Sequence, residues 1–500
     1  MAEVCVVLLL YLLACDLTWP IIPPVGNSSS TASIHILDDD SLLHMFYLYR
    51  PFFLGEDDEG GNARLWGGNK GWVRGRWWYG LAHVCRRWRN VILERASYLG
   101  VSIVCTNGLP VADMLAHSPP LSLVVDYIGD ITAEDEEGAI LAFKQCDRVR
   151  HVRLQTPVAI LQRLVAAMDE EYPILEYLII MLPMADVASI LTFPETLHAP
   201  HLRHVALRGF ALPIGSRLLT TAVGLVTLCL SMVDPSTYFH PNTLLQWISH
   251  MPQLEVLLIY LKCSIPNRDI ERELMHTPVT THVTLPNLHH ILLHGASTYL
   301  EALVRRITTP RLEKLDISFF NQLTFSIPRL LHLMNTTENL RLDSAIFIFS
   351  DKRVQAAVYP RGVFKMNAVL ITVSCWHLDW QLSSMVQISN SLSEMFSTVE
   401  HLTLQHQVHS RSSEEHNEVD RAKLRKLFGP FSNVKTLRID NAVVRELSRC
   451  LQLEDGELPL ELLPELQELS YPGDGDTSDA FNSFIDARQN AGRTVTLVRS

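Results

Sequence analysis

One short pattern, apolar-x-x-apolar-x-apolar, returns along most of this chain and limits what it can fold into. The clear cases begin with Val149/Val152/Leu154, Leu175/Leu178/Ile180, Leu202/Val205/Leu207 and Leu225/Leu228/Leu230. Leu254/Leu257/Ile259, Leu288/Ile291/Leu293 and Leu312/Leu315/Ile317 follow, and later Val399/Leu402/Leu404, Val434/Leu437/Ile439 and Leu466/Leu469/Tyr471. Two weaker ones, at Leu340/Leu342 and Met366/Val369/Ile371, fill the middle. From Val149 to Leu466 the mean step is about 29 residues, and a fixed period of about 20–50 residues marks stacked structural repeats. Alternate side chains of a strand share a face, so the last two apolar positions point inward and the first anchors the turn into the strand. A single unit cannot bury that face, whereas stacked neighbours can.

Amphipathic helices lie between these strands. Ile160, Leu161, Leu164, Val165 and Met168 form one stripe; Tyr299, Leu300, Leu303, Val304 and Ile307 form another; Val386, Ile388, Leu392, Met395 and Phe396 suggest a third. Pro173, Pro252, Pro286, Pro310 and Pro464 each stand two residues before a strand motif, where they stop a helix. Helix, proline and strand in alternation imply right-handed crossovers and a curved parallel sheet. The motif resembles the strand of a leucine-rich repeat. The Asn that such repeats carry three residues after the last strand Leu is missing almost everywhere: Leu207 is followed by Phe210 and Leu293 by Ala296. Irregular, longer turns are therefore expected. The chain should end on a helix from Ser478 to Gln489 and a strand from Thr494 to Val498, a capping unit.

Composition narrows the function classes. Of 500 residues 47% are hydrophobic and 19% charged, enough apolar surface for a large core and too little charge for global disorder. The net charge of -12 argues against nucleic acid, which needs clustered positive charge. Nine cysteines, at 5, 15, 85, 105, 146, 229, 263, 375 and 450, show no CxxC and no regular framework, as buried free thiols in a reducing compartment would. No segment has 18 uninterrupted apolar residues, so no membrane span is expected. Val4 to Cys15 is apolar, but Met1-Ala2-Glu3 carries an acid and no Lys or Arg, which disfavours a signal peptide at residues 1–15. A cytoplasmic or nuclear protein is expected. Were that leader cleaved, the chain would instead be a secreted or surface leucine-rich-repeat binding protein.

No G-x-S-x-G, H-E-x-x-H or G-x-G-x-x-G occurs, so neither an enzyme nor a cofactor is expected. His201/His204 and His289-His290 sit in or beside strands, where each pair falls on opposite faces and cannot easily share a metal. The run Glu134-Asp135-Glu136-Glu137 reads as a solvated helix start.

The first hundred residues differ from the rest. After an apolar leader and linker (1–33), a helix is expected from about Asp39 to Arg50, with Leu42, Leu43, Met45, Phe46 and Leu48 as its apolar stripe and Asp38, Asp39 and Asp40 at its positive end. Residues 51–76, acidic and then glycine-rich, read as a flexible insertion. A second helical stretch is expected from about Trp77 to Arg95, with Trp78, Leu81, Val84, Cys85, Trp88, Val91 and Ile92 on one face. The domains expected are therefore a helical module over 34–98 and the strand–helix array over 99–500.

The segments Leu37-Asp38-Asp39-Asp40-Ser41-Leu42-Leu43-His44-Met45-Phe46 and Leu81-Ala82-His83-Val84-Cys85-Arg86-Arg87-Trp88-Arg89 resemble the two halves of an F-box, which begins near Leu-Pro-acid-acid and ends on Val-Cys-basic-basic-Trp-basic. Asp38 stands where the family usually has Pro. With its repeats, the chain is similar to the F-box proteins with degenerate leucine-rich repeats found in mushroom-forming fungi. The resemblance implies an α/β fold: a short helical F-box-like module followed by an irregular leucine-rich-repeat solenoid. It implies docking on a Skp-type adaptor of a cullin–RING ubiquitin ligase, with the repeats holding an unidentified substrate protein. Carried onto this sequence, Leu37, Leu42, Met45, Phe46, Val84, Cys85 and Trp88 would bury against the adaptor or within the module.

Overall fold

The computed structural model describes residues 37–49, 77–183, 191–213, 215–233, 239–262, 279–320, 327–337, 343–350, 352–360, 369–375, 378–407, 421–440, 444–452, 458, 460–472 and 480–499. The leader and linker, the 51–76 insertion and the weak motif residues Leu340, Leu342 and Met366 lie outside them. The chain is an α/β protein whose main sheet has 16 strands, mostly parallel and alternating with helices, as in a leucine-rich-repeat array. It divides into two compact units, one holding residues up to Tyr127 with Ile131–His151, the other Ile128–Asp130 with Val152–Ser500.

The first unit opens with helices α1 (Asp39–Tyr49), α2 (Trp77–Ala82), α3 (Arg86–Glu94) and α4 (Ala96–Leu99). Strand β1 (Ser102–Thr106), helix α5 (Val111–His117), strand β2 (Ser122–Ile128) and helix α6 (Ala133–Phe143) follow, then the start of β3 (Val149–Gln155). Strands β1 and β2 pair in parallel register from Ser102↔Ser122 to Thr106↔Asp126. The acidic run does more than meet solvent. Asp135 is buried; it completes a capping box with Thr132 and accepts the Gly108 amide at 2.7 Å, tying the loop before α5 to α6.

In the second unit the main strands are β4 (Tyr177–Met181), β5 (His204–Arg208), β6 (Thr227–Val233), β7 (Val256–Leu261), β8 (His290–Gly295) and β9 (Lys314–Phe319). Then come β10 (Ser344–Ser350), β11 (Arg353–Tyr359), β12 (Val369–Ser374), β13 (His401–Gln407), β14 (Thr436–Ile439), β15 (Glu468–Tyr471) and β16 (Thr496–Arg499). The helices of this unit are α7 (Val158–Ala166), α8 (Arg217–Thr221), α9 (Pro241–Ser249), α10 (Ser297–Val304), α11 (Pro328–Thr336), α12 (Leu378–Ser391), α13 (Ser393–Phe396), α14 (Arg421–Phe428), α15 (Val444–Leu451) and α16 (Asn482–Asn490). The Leu positions of the motif form the core, as the alternation requires. Leu312, Leu315 and Ile317 are buried, and so are Leu254, Leu257 and Ile259; each such side chain contributes roughly 1.5–3 kcal/mol relative to exposure.

The joint between neighbouring repeats is made of backbone. The carbonyl of the residue before or at the entry of one strand accepts two consecutive amides of the next unit. Glu176 O takes Arg203 N and His204 N at 2.9 and 3.0 Å, and Arg203 O takes Val226 N and Thr227 N. Val226, Glu255 and His289 repeat this, and Asp343, Glu400 and Lys435 do so again further along.

Among the described strands the parallel order of the main sheet is broken at one place. The sheet runs from β9 to β12, β11, β10 and then β13. Strand β11 is antiparallel to both neighbours, whereas β9–β12 and β10–β13 are parallel. Val369 and Ile371 of the weak motif are buried in β12, parallel to β9 as a repeat requires, but a hairpin that no motif announced is wedged beside it, and the crossovers carrying α11 and α12 each pass over two strands. Gln381 of α12 fixes this region by donating to Ser350 O and Cys375 O at 2.7 and 2.8 Å.

The described cysteines 85, 105, 146, 229, 375 and 450 are free thiols. Burial pushes the Cys105 and Cys229 thiols up to about 12. Among the described residues no helix is long and apolar enough to cross a membrane.

Candidate interaction surface

Helix α1 begins where the chain can cap itself. Asp38 Oδ1 accepts Ser41 N at 2.6 Å and Asp38 O accepts Leu42 N at 3.1 Å. The Ser41 hydrogen bonds hold the Asp38 carboxyl below the usual carboxylate range. Leu42 and Phe46, one helical turn apart, are buried. Phe46 meets Trp88 edge to face at 5.0 Å between ring centroids.

The second half is two helices where one was expected over 77–95. The chain leaves α2 after Ala82 and restarts at Arg86, because Cys85 takes an extended conformation (φ -159°) and its Sγ accepts Trp88 N at 3.5 Å as an N-cap. Trp88, Val91 and Ile92 then turn inward. Arg89 Nε donates to Ala82 O at 3.1 Å across the break. Trp78 is buried and donates its indole N–H to Ser102 O of β1 at 3.2 Å.

The structure thus sorts the residues singled out from the sequence. Leu42, Phe46 and Trp88 meet in the core of the helical module. Leu37, Met45 and Cys85 are half-buried at its surface. Val84 does not join the core: it is 57% exposed, as the turn between α2 and α3 points it outward. Leu48, at 51%, and Tyr98, at 53%, add exposed apolar surface. Tyr98 lies 5.3 Å from Tyr47, ring centroid to centroid, a contact that α4 creates and that no helical spacing announces.

Arg87 was also not legible as a structural residue. It stands off the apolar face of its own helix, yet it reaches back across 48 positions to Asp39. Its Nε donates to Asp39 Oδ1 at 2.8 Å and its Nη2 to Leu37 O at 2.6 Å.

On the array, the face of the sheet opposite the Leu positions carries a polar group at β8 and β9. His290 Nε2 and Lys314 Nζ each lie 3.2 Å from Asp316 Oδ2. On β5 the His204 ring stacks on Tyr177 of β4 at 4.3 Å and pairs with Thr227 Oγ1 at 3.1 Å. Phe319 and Phe320 are core residues, whereas Trp380 is half exposed. Among the described residues no group of three or more His, Cys, Asp or Glu is placed to hold a metal ion.

No protein-family model matches the chain, and the search of curated proteins found no match to it.

Proposed function

We propose that the chain is the substrate-recognition subunit of a Skp–cullin–F-box-type ubiquitin ligase, binding an adaptor through its helical module and a target protein through its repeats. The observation that carries this reading is the division of labour within the module. Leu42, Phe46 and Trp88 are spent on its own core, while Leu37, Met45 and Leu48 along α1 and Val84 just before α3 stay at its surface. Apolar side chains that a module leaves at its surface, outside its own core, are the ones available to a protein partner. The reading assigns no chemistry to the chain itself; the ligase supplies catalysis and this subunit supplies choice of target.

The test is co-expression of the full chain with a Skp-type adaptor, followed by size-exclusion chromatography. Co-elution is expected. It should be lost in a Leu48→Asp, Val84→Asp variant, whose substitutions fall on exposed positions and leave the circular dichroism spectrum unchanged. A wild-type chain that never co-elutes with the adaptor would sink the proposal.

A further inference from the structure

The Leu37–Asp39 segment precedes and enters α1, and the local brace among the described residues is the Asp38 cap, which holds Ser41 and Leu42 but not Leu37. Leu37 is held from the other half of the module. One guanidinium meets both the Leu37 carbonyl at 2.6 Å and the Asp39 carboxylate, with contacts at 2.7 and 2.8 Å. The guanidinium is planar and its donors form a rigid fork, so meeting two acceptors at once fixes the orientation of the segment as well as its distance. The ion pair lies in water: Arg87 is 37% and Asp39 65% exposed in the side chain. Such a pair adds little to global stability. What the contact can do is set where Leu37 and the first turn of α1 stand relative to α3, and hence where Leu37 and Val84 lie relative to one another.

We infer that Arg87 is a positioning residue for adaptor docking, a fork that joins the two halves of the module and presents Leu37 with the first turn of α1 in a fixed place. This rests on the adaptor reading above. A charge alone would not do the same work, because a lysine offers a compact point charge and no fork.

The experiment uses the full chain with Arg87→Gln and Arg87→Lys, read by hydrogen exchange at residues 41–46 and by adaptor affinity. Both variants should keep the wild-type thermal transition. In both, exchange at these amides should rise about fivefold and the adaptor should bind about five- to tenfold more weakly. If Arg87→Lys binds the adaptor like wild type, charge suffices and the fork is refuted. If exchange does not change, the clamp is refuted whatever the affinity does. If exchange rises but both variants bind like wild type, the clamp exists without a positioning role, and the inference fails while the adaptor reading stands. A wild-type chain that does not bind at all overturns the adaptor reading and the positioning role with it, while the exchange data still report the clamp.

Discussion

Gly129 and Gly209 form a natural control pair. Each follows a strand, each has φ +79°, and each donates its amide to the next strand, at 2.7 Å to Gln155 O and at 2.9 Å to Ser231 O. They differ in what surrounds them. A Cβ on Gly129 would meet nothing within 4 Å, whereas one on Gly209 would collide with Leu182 Cδ1, with Leu182 Cγ and Cβ at 3.0 and 3.1 Å. Alanine at either site incurs the left-handed penalty of about 1–2 kcal/mol, partly offset by about 0.4–1 kcal/mol from a stiffer unfolded chain. Gly129→Ala should therefore cost about 1 kcal/mol or less. Gly209→Ala adds overpacking against buried Leu182, about 1–3 kcal/mol, for a total of about 2–4 kcal/mol. Urea unfolding followed by circular dichroism measures both, at equal m-values. Leu182→Ala, costly alone, should cost less in the Gly209→Ala background, with a coupling of at least about 1 kcal/mol. Equal losses for the two glycines, or an additive cycle, would refute the packing argument.

Three further outcomes are expected. Burial, followed by the Arg203 charge and opposed by Glu176, lowers the His204 pKa to about 4 from its ordinary 6.5. The unfolded chain then binds a proton that the folded one refuses. Stability is fully present above pH 6.5 and falls toward pH 4 by up to about 1.4 kcal/mol per pH unit, a slope that His204→Gln should remove in pH-dependent melting curves. Arg488 of α16 is fully buried, donates to Leu462 O at 3.2 Å and Pro464 O at 2.9 Å and lies over the Phe484 ring at 5.4 Å. Arg488→Met strands both carbonyls at a cost of roughly 2–4 kcal/mol, seen as early proteolysis within residues 460–499; a wild-type cleavage pattern would contradict this. Glu301 of α10 caps the next long helix in space, accepting Arg329 N at 2.9 Å and Leu330 N at 3.0 Å at the start of α11. Glu301→Ala should cost about 1–2 kcal/mol in thermal unfolding, as an N-cap deletion does, and an unchanged melting temperature would show that Pro328 alone starts the helix.

Most of the strand register could be read in advance because burial leaves a mark in the sequence. Leu312, Leu315 and Ile317 are spaced as a strand with its entry must be, and Asp316 between them falls on the opposite face. Reading stopped where burial left a different mark. Ser344–Ser350 and Arg353–Tyr359 hide a hairpin, whose second strand alternates buried Val354, Ala356 and Val358 with less buried neighbours. That alternation lacks the Leu spacing of the repeats on either side, so the repeat period does not reveal it. The first two strands also lack the motif, since Ile103-Val104-Cys105 and Leu123-Val124-Val125 are continuous apolar runs that a buried helix could equally carry. In the helical module, helical spacing identified Leu42, Phe46 and Trp88 as buried. It could not foresee that Cys85 would cap a new helix and turn Val84 outward, because capping depends on the backbone angle of one residue. Arg87 was beyond reach for another reason: its partners are distant in sequence, and a polar side chain on a helix surface carries no periodic signal.

The paired amides at eight of the repeat joints bear on what the sequence of such a chain must keep. The accepting carbonyls belong to Glu176, Arg203, Val226, Glu255, His289, Asp343, Glu400 and Lys435. Their side chains are acidic, basic, aliphatic and imidazole; Lys435 Nζ also donates to Glu400 Oε1 at 2.7 Å across one joint, but the bond that recurs is made by the carbonyl that every residue carries. Stacking of this kind therefore constrains the Leu positions and leaves the choice of side chain at the joint open. A repeat of different sequence, or a hairpin such as β10–β11, can be taken up and still be laid against the last.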